Sequence, residues 1–216
     1  MEKTENSIVD GVIWKQLLLF FFPILIGTFF QQLYNTVDTV VVGQYVGKEA
    51  LAAVGTTGTV INLLVGFFVG VSSGATVIVS QFFGAEDREN VSKAVHTSMA
   101  LAIVGGVVIM VVGFVSARPV LVAMSVPEEI LEDALLYMNV YYAGIIANMI
   151  YNIGTGILRA IGDSRMPLYI LIVCCLANVV LDLLFVVVFH WAVFGVAFAT
   201  VLSQVISAAL ILVRLM

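Results

Sequence analysis

Two aspartates interrupt long runs of hydrocarbon side chains. Asp38 lies at the far end of the first apolar run and Asp182 in the middle of the fifth. Asn178 stands one helical turn before Asp182, and Thr200 follows on the next apolar segment. An ionised aspartate at the centre of a membrane helix costs ~2.5–3.5 kcal/mol on insertion scales, so such residues mark ion or proton sites by default. Asp38, Asn178, Asp182 and Thr200 together offer hard oxygen ligands, some of them anionic. That set suits Na⁺ or another hard cation better than zinc or copper. Two carboxylates sharing a dry site cannot both ionise cheaply, so one would hold a proton, which is how a proton-carrying site is made. Cation binding, proton binding and competition between them all fit these residues.

The chain that must position them has 216 residues, 62% hydrophobic and 11% charged, with a mean hydropathy of +1.13. Soluble domains run roughly 45–50% apolar and about 25% charged. The composition is that of an integral membrane protein, and the lipid bilayer is its first partner. Since about 20 apolar residues cross a bilayer, six spans are expected at about 16–42, 53–82, 94–117, 131–157, 167–189 and 193–214. Residues 1–15 precede them as a polar segment. Membrane strands alternate over ~10 residues, whereas these runs are continuous, so the fold class is all-α. The first run is too long for a signal-peptide core and lacks a small-residue cleavage site.

Basic residues orient the spans. Lys3, Lys15, Arg88, Lys93, Arg159, Arg165 and Arg214 fall on one side, and only Lys48 and Arg118 on the other. The positive-inside rule then places both termini in the cytoplasm, with the acidic loop Glu128, Glu129, Glu132 and Asp133 outside. The basic residues form no patch with interleaved aromatics, which excludes nucleic acid as a partner. Cys174 and Cys175 sit inside an apolar run as small filler. His96 and His190 are isolated near span ends. Asp163 and Arg165 read as loop residues that cap a helix. No phosphate loop, nucleophile elbow or paired-cysteine motif is present, so neither an enzyme nor a bound cofactor is expected.

Helical spacing sorts the polar residues onto faces. The first span aligns Gly27, Gln31, Tyr34, Asn35 and Asp38. The fourth aligns Tyr137, Tyr141, Gly144, Asn148, Tyr151, Asn152, Thr155 and Arg159. The fifth adds Asn178 and Asp182, the sixth Thr200, Ser203, Gln204 and Ser207, and the second a weaker row of Ser73, Thr76 and Ser80. Hydroxyl rows can be interhelical glue; a carboxylate is not needed for that, so a polar cavity accounts better for the faces that carry one. Pro23 removes a helical hydrogen bond in the first span, which should kink there and could serve as a hinge.

Three stretches together resemble one family. PILIGTFFQQLYNTVDTVVVGQYVGKEALAAVG is similar to the first helix and following loop of the multidrug and toxic compound extrusion (MATE) family. GATVIVSQFFGAEDRENVSKA is similar to its second helix and loop, and GILRAIGDSRMP to its loop between helices four and five. The resemblance implies a six-helix lobe of a twelve-helix, two-lobe transporter in the plasma membrane. It also implies antiport of cationic or amphipathic small organic compounds against Na⁺ or H⁺. Asp38 matches the family's first-helix acid, Asn178 and Asp182 its fifth-helix pair, and Thr200 its sixth-helix hydroxyl. The Val196 carbonyl would be a further ligand, and Pro23 matches the proline about which the first helix bends. Gln31, Tyr34, Asn148 and Asn152 would line the lobe's cavity, and Asn35 shares the face of the first two. The chain covers one lobe, so its expected partner is a C-terminal lobe or a second copy of itself, arranged as parallel repeats. A lipid-linked oligosaccharide flippase of the same superfamily is the alternative, although no Lys or Arg falls inside a span to hold a pyrophosphate. An inactive structural half is the third reading.

Overall fold

The computed structural model describes residues 13–215; the expected N-terminal cytoplasmic segment lies, up to residue 12, outside them. All regular structure among the described residues is helical. The order is α1 (Ile13–Val41), α2 (Lys48–Gly84), α3 (Arg88–Ala123), α4 (Glu128–Ala143), α5 (Ile145–Ala160), α6 (Arg165–Asp182) and α7 (Ala192–Leu215). Five spans are long and apolar enough to cross a membrane, and α4 with α5 makes a sixth if the bent pair is one span.

The fourth polar face is therefore not straight. α4 and α5 meet at 52°, and the cause is Gly144. A Cβ there would lie 2.6 Å from Val201 Cγ1, so only glycine lets α7 press into the break. The helical ladder adapts with short bonds, Gly144 N–H to the Tyr141 carbonyl and Ala147 N–H to the Gly144 carbonyl, both 3.0 Å. The third helix also differs from its expected end. It runs through Arg118 and Pro119 to Ala123, with Pro119 just over one turn before the end, where its missing N–H costs one bond of the ladder. Arg118 reaches Glu132 at 3.8 Å across the α3–α4 turn.

α1 and α6 each finish in a wide π-helical turn, Val42–Val46 and Leu183–Val188. The second begins at the residue after Asp182. Such turns cluster at functional positions in helices, and no sequence period announces them. The turns touch one another and the start of α7. Beyond α6, Phe185, Trp191, Phe194 and Phe198 form an aromatic cluster, with Phe185 and Trp191 stacked at 5.1 Å.

α5 is the axle of the lobe, packed against α2, α3 and α7, while α1 leans chiefly on α6. Ile145, Met149, Ile153 and Ile157 of α5 are buried with Val79 of α2 and Val196 of α7. Leu121, Ala134, Met138 and Tyr142 form a second apolar cluster between α3 and α4. Thus α4–α7 surround an interior, and α1 closes one side of it.

Candidate functional site

Antiparallel packing brings the ends of three helices to one level. Asp38 is near the C-terminal end of α1, Asp182 is the last residue of α6, and Thr200 is in the third turn of α7. Asp182 and Asn178 are fully buried, Thr200 nearly so, and Asp38 half-buried. Ionised carboxylates only accept hydrogen bonds, so the Asn178 amide turns its nitrogen to both acids. It donates to Asp38 Oδ1 at 3.0 Å and to Asp182 Oδ2 at 3.2 Å. One neutral amide thereby bridges two carboxyl groups from different helices.

Thr200 completes the cluster. Its hydroxyl donates to the Val196 carbonyl at 3.0 Å, which places those two oxygens together and leaves the hydroxyl oxygen to act as an acceptor. Asp38 lies within hydrogen-bonding reach of Asp182 and Thr200, and Tyr34 within reach of Thr200. Asp182 Oδ1 is buried with no protein partner. A buried carboxylate oxygen without a donor is costly, and a cation or a proton would satisfy it. The donor set of carboxyl, hydroxyl and backbone oxygens, with the Asn178 oxygen available if the amide turns over, fits a hard monovalent cation as well as a proton.

The other expected residues part company. Pro23 lies within α1, partly buried and well below the acids. Gln31 and Asn35 are exposed, and Asn35 Nδ2 donates to Gln32 Oε1 at 3.3 Å on the open side of α1. Asn148 and Asn152 sit beyond the Gly144 bend in a separate cluster. Asn152 Nδ2 donates to the Asn148 carbonyl and side-chain oxygen at 2.8 and 2.9 Å, and Ser72 Oγ to the Asn152 carbonyl at 3.3 Å. Asp163 caps α6, accepting the Met166 N–H at 3.0 Å, and pairs with Arg214 at 3.5 Å.

The sequence places Tyr137 only in a polar row, yet it is buried beside both acids. Its position one row before Tyr141 on the same face was the available signal. What the sequence could not supply was that α4, rather than α5, carries this face to the acid level.

A polytopic helical bundle with a buried, amide-bridged pair of acids defines a multi-pass membrane protein with a polar centre. The MatE family model matches residues 23–184, and the chain belongs to that family of multidrug transporters. It is 29% identical over 207 residues to the probable multidrug resistance protein YoeA of Bacillus subtilis, covering 94% of this chain and 45% of that protein. It superposes with a TM-score of 0.93 and 28% identity on an outward-facing multidrug resistance MATE family transporter of the MOP superfamily, covering 100% of this chain and 48% of the other. The same score and identity relate it to a MOP superfamily transporter from Pyrococcus furiosus, for which reverse polarity of the binding pocket suggests a different function. The chain spans about half the length of the relatives it matches.

Proposed function

We propose that this chain is one lobe of a cation-coupled exporter, and that Asp38, Asn178, Asp182, Thr200 and the Val196 carbonyl hold the coupling ion, Na⁺ or H⁺. The observation that carries this is the partnerless Oδ1 of the fully buried Asp182, within a cluster that already contains a second acid. When the ion leaves, the Asn178 nitrogen can hold both carboxylates; when it enters, the amide can present its oxygen instead. Binding would thus tighten α1 against α6, and Pro23 is where α1 would absorb the change. The exported compound would be a cationic or amphipathic organic molecule. It would be held between this lobe and a second one at the exposed α1–α2 face, in the plasma membrane with both termini cytoplasmic. One charge crossing 100 mV supplies about 2.3 kcal/mol, roughly a 50-fold gradient.

The test is substrate-dependent Na⁺ or H⁺ flux in proteoliposomes containing this chain with its partner lobe. Flux should vanish in Asp38→Asn. Flux at the wild-type level in that variant sinks the proposal.

A further inference from the structure

The chain between Asp182 and α7 is irregular twice over. α6 does not end as an α-helix: the π turn Leu183–Val188 follows Asp182 directly, and the Phe189 N–H closes it on the Leu184 carbonyl at 3.0 Å. The next residues then place His190 at φ 56° and Ala192 at φ 46°. Histidine visits that left-handed region more readily than most residues, but alanine gains nothing there, and its Cβ crowds the following carbonyl. No glycine or asparagine eases the bend in Phe189, His190, Trp191 and Ala192, so other contacts must hold it.

Those contacts centre on Trp191. Its N–H donates to the Phe185 carbonyl at 2.9 Å, reaching back into the π turn, and its own carbonyl accepts the Gly195 N–H at 3.1 Å. Its ring stacks on Phe185 at 5.1 Å and 15°, with Phe189 at 5.5 Å and Phe194 and Phe198 of α7 at 5.7 and 6.2 Å. Such pairs contribute beyond the area they bury. Aromatics that serve only as a membrane belt sit at headgroup level; these rings face one another, and Phe185 is buried. Gly195 brings the backbone of α7 onto the π turn, since a Cβ there would lie 3.1 Å from the Cβ of both Phe185 and Trp191. The other π turn, Val42–Val46 after α1, touches this one and α7.

We propose that the α6–α7 turn is a strained aromatic clasp that holds the π turn after Asp182 in its wide form, and that opening it lets the end of α6 change register. A π turn carries one residue more than an α ladder needs. Rewound as an α-helix, the segment would rotate its far side by about 100° and shift it by about 1.5 Å. α6 is held on both sides of that slack. On one side the fully buried Asn178 and Asp182 fix it in the lobe; on the other, Phe185 and Trp191 pin it to α7. The left-handed Ala192 is the load, because a straighter turn relieves it, and the ring stack opposes that relief. The clasp belongs to the frame around the acids, so it stands whichever ion they bind and does not rest on their being the coupling site.

Leu176 and Val188 are both well exposed, on either side of the π turn. Spin labels at these two positions, in the full chain in lipid nanodiscs with Cys174→Ala and Cys175→Ala, read the register as a distance. The chain with Trp191 intact should give one distance, and Trp191→Ala should add a second. The same variant should raise hydrogen exchange at the Phe189 amide by roughly tenfold or more, since several ring pairs are lost together, while amides of α5 keep their rates. Trp191→Leu keeps bulk without the stack and takes its place if Trp191→Ala does not fold. Ala192→Gly removes the strain without touching a ring, and should slow exchange at Phe189 by roughly threefold. A single unchanged distance in the Trp191 variants overturns the register change, even where exchange rises. Exchange at Phe189 that Ala192→Gly leaves unchanged or accelerates overturns the strain, and the clasp with it. Neither readout involves the ion, so wild-type flux in Asp38→Asn would sink the coupling site and leave the clasp standing.

Discussion

α7 and α2 are both apolar and membrane-long, yet 44% of the most hydrophobic stretch of α7 is buried and only 12% of that of α2. Their glycines differ in the same way. A Cβ on Gly154 of α5 would collide with Ile211 of α7, whereas Gly66, Gly70 and Gly74 of α2 have open space beside them. α1 sides with α2: Gln31, Gln32, Asn35, Thr36 and Thr39 are exposed along it. Hydrocarbon does not satisfy polar side chains, and helices in membranes associate through small and polar residues. The contrast teaches that the lobe has a finished side, built around α5 and α7, and an open side, where α1 exposes a polar strip and α2 exposes the apolar Leu63, Val69 and Val77. The acid pair lies on the border, with Asp182 on the finished side and Asp38 on the other.

The sharpest way to break this contrast is to add bulk to both sides. Gly154→Val should drive α5 and α7 apart, and overpacking of that kind costs ~1–3 kcal/mol and sometimes more. The expected outcome is loss of a monodisperse, heat-stable lobe in detergent. A lobe as stable as wild type would mean that the α5–α7 contact is not a constraint. On the border, Asn178→Leu removes the amide bridging two acids. A hydrogen bond to a charged group is worth ~1.5–3 kcal/mol, so cation affinity read by calorimetry, or the proton affinity of the pair, should change by at least tenfold. On the open side, Gly70→Ala should leave the lobe no less stable than wild type, with a gain of at most ~1 kcal/mol. A cysteine at position 70 should instead crosslink to a partner lobe. Absence of any crosslink in the intact assembly would turn the open face back into a lipid surface.

Much of this was readable before any coordinates. Continuous apolar runs require helices, and the isolated Asp38, Asn178, Asp182 and Thr200 could meet only if the runs packed antiparallel, as they do. The Gly144 bend was not readable, because it depends on Val201 from a helix far away in sequence pressing on that position. Gln31 and Asn35 share a helical face with Asp38 by spacing alone. They are exposed because α1 leans on α6 over a narrow strip, and periodicity tells which residues share a face but not how much of it a neighbour covers. The π-helical turns after both acids escaped for a related reason: each inserts one residue into a ladder without changing composition.

The smallest expected effect concerns how the open and closed sides are joined. Asp87 ends the α2–α3 turn, accepting the Asn90 N–H at 3.1 Å and the Asn90 side-chain amide at 2.6 Å. These bonds, the backbone one foremost, hold its carboxyl below the usual aspartate range. A carboxyl with a lowered folded value binds protons less readily in the folded state than in the unfolded one. Its contribution is therefore complete above about pH 4, near the unfolded value, and is lost as pH falls through the folded value. Asp87→Ala should lower the melting temperature slightly at neutral pH and flatten its decline in acid. Because the side chain is only partly buried, salt and solvent keep the effect small. If α3 starts where it does because of this cap, hydrogen exchange at Asn90 and Val91 should rise in the variant while exchange in α5 and α7 stays put. Equal changes in all three helices would show that the turn transmits to the closed side, and the division of the lobe into two independently packed sides would then fail.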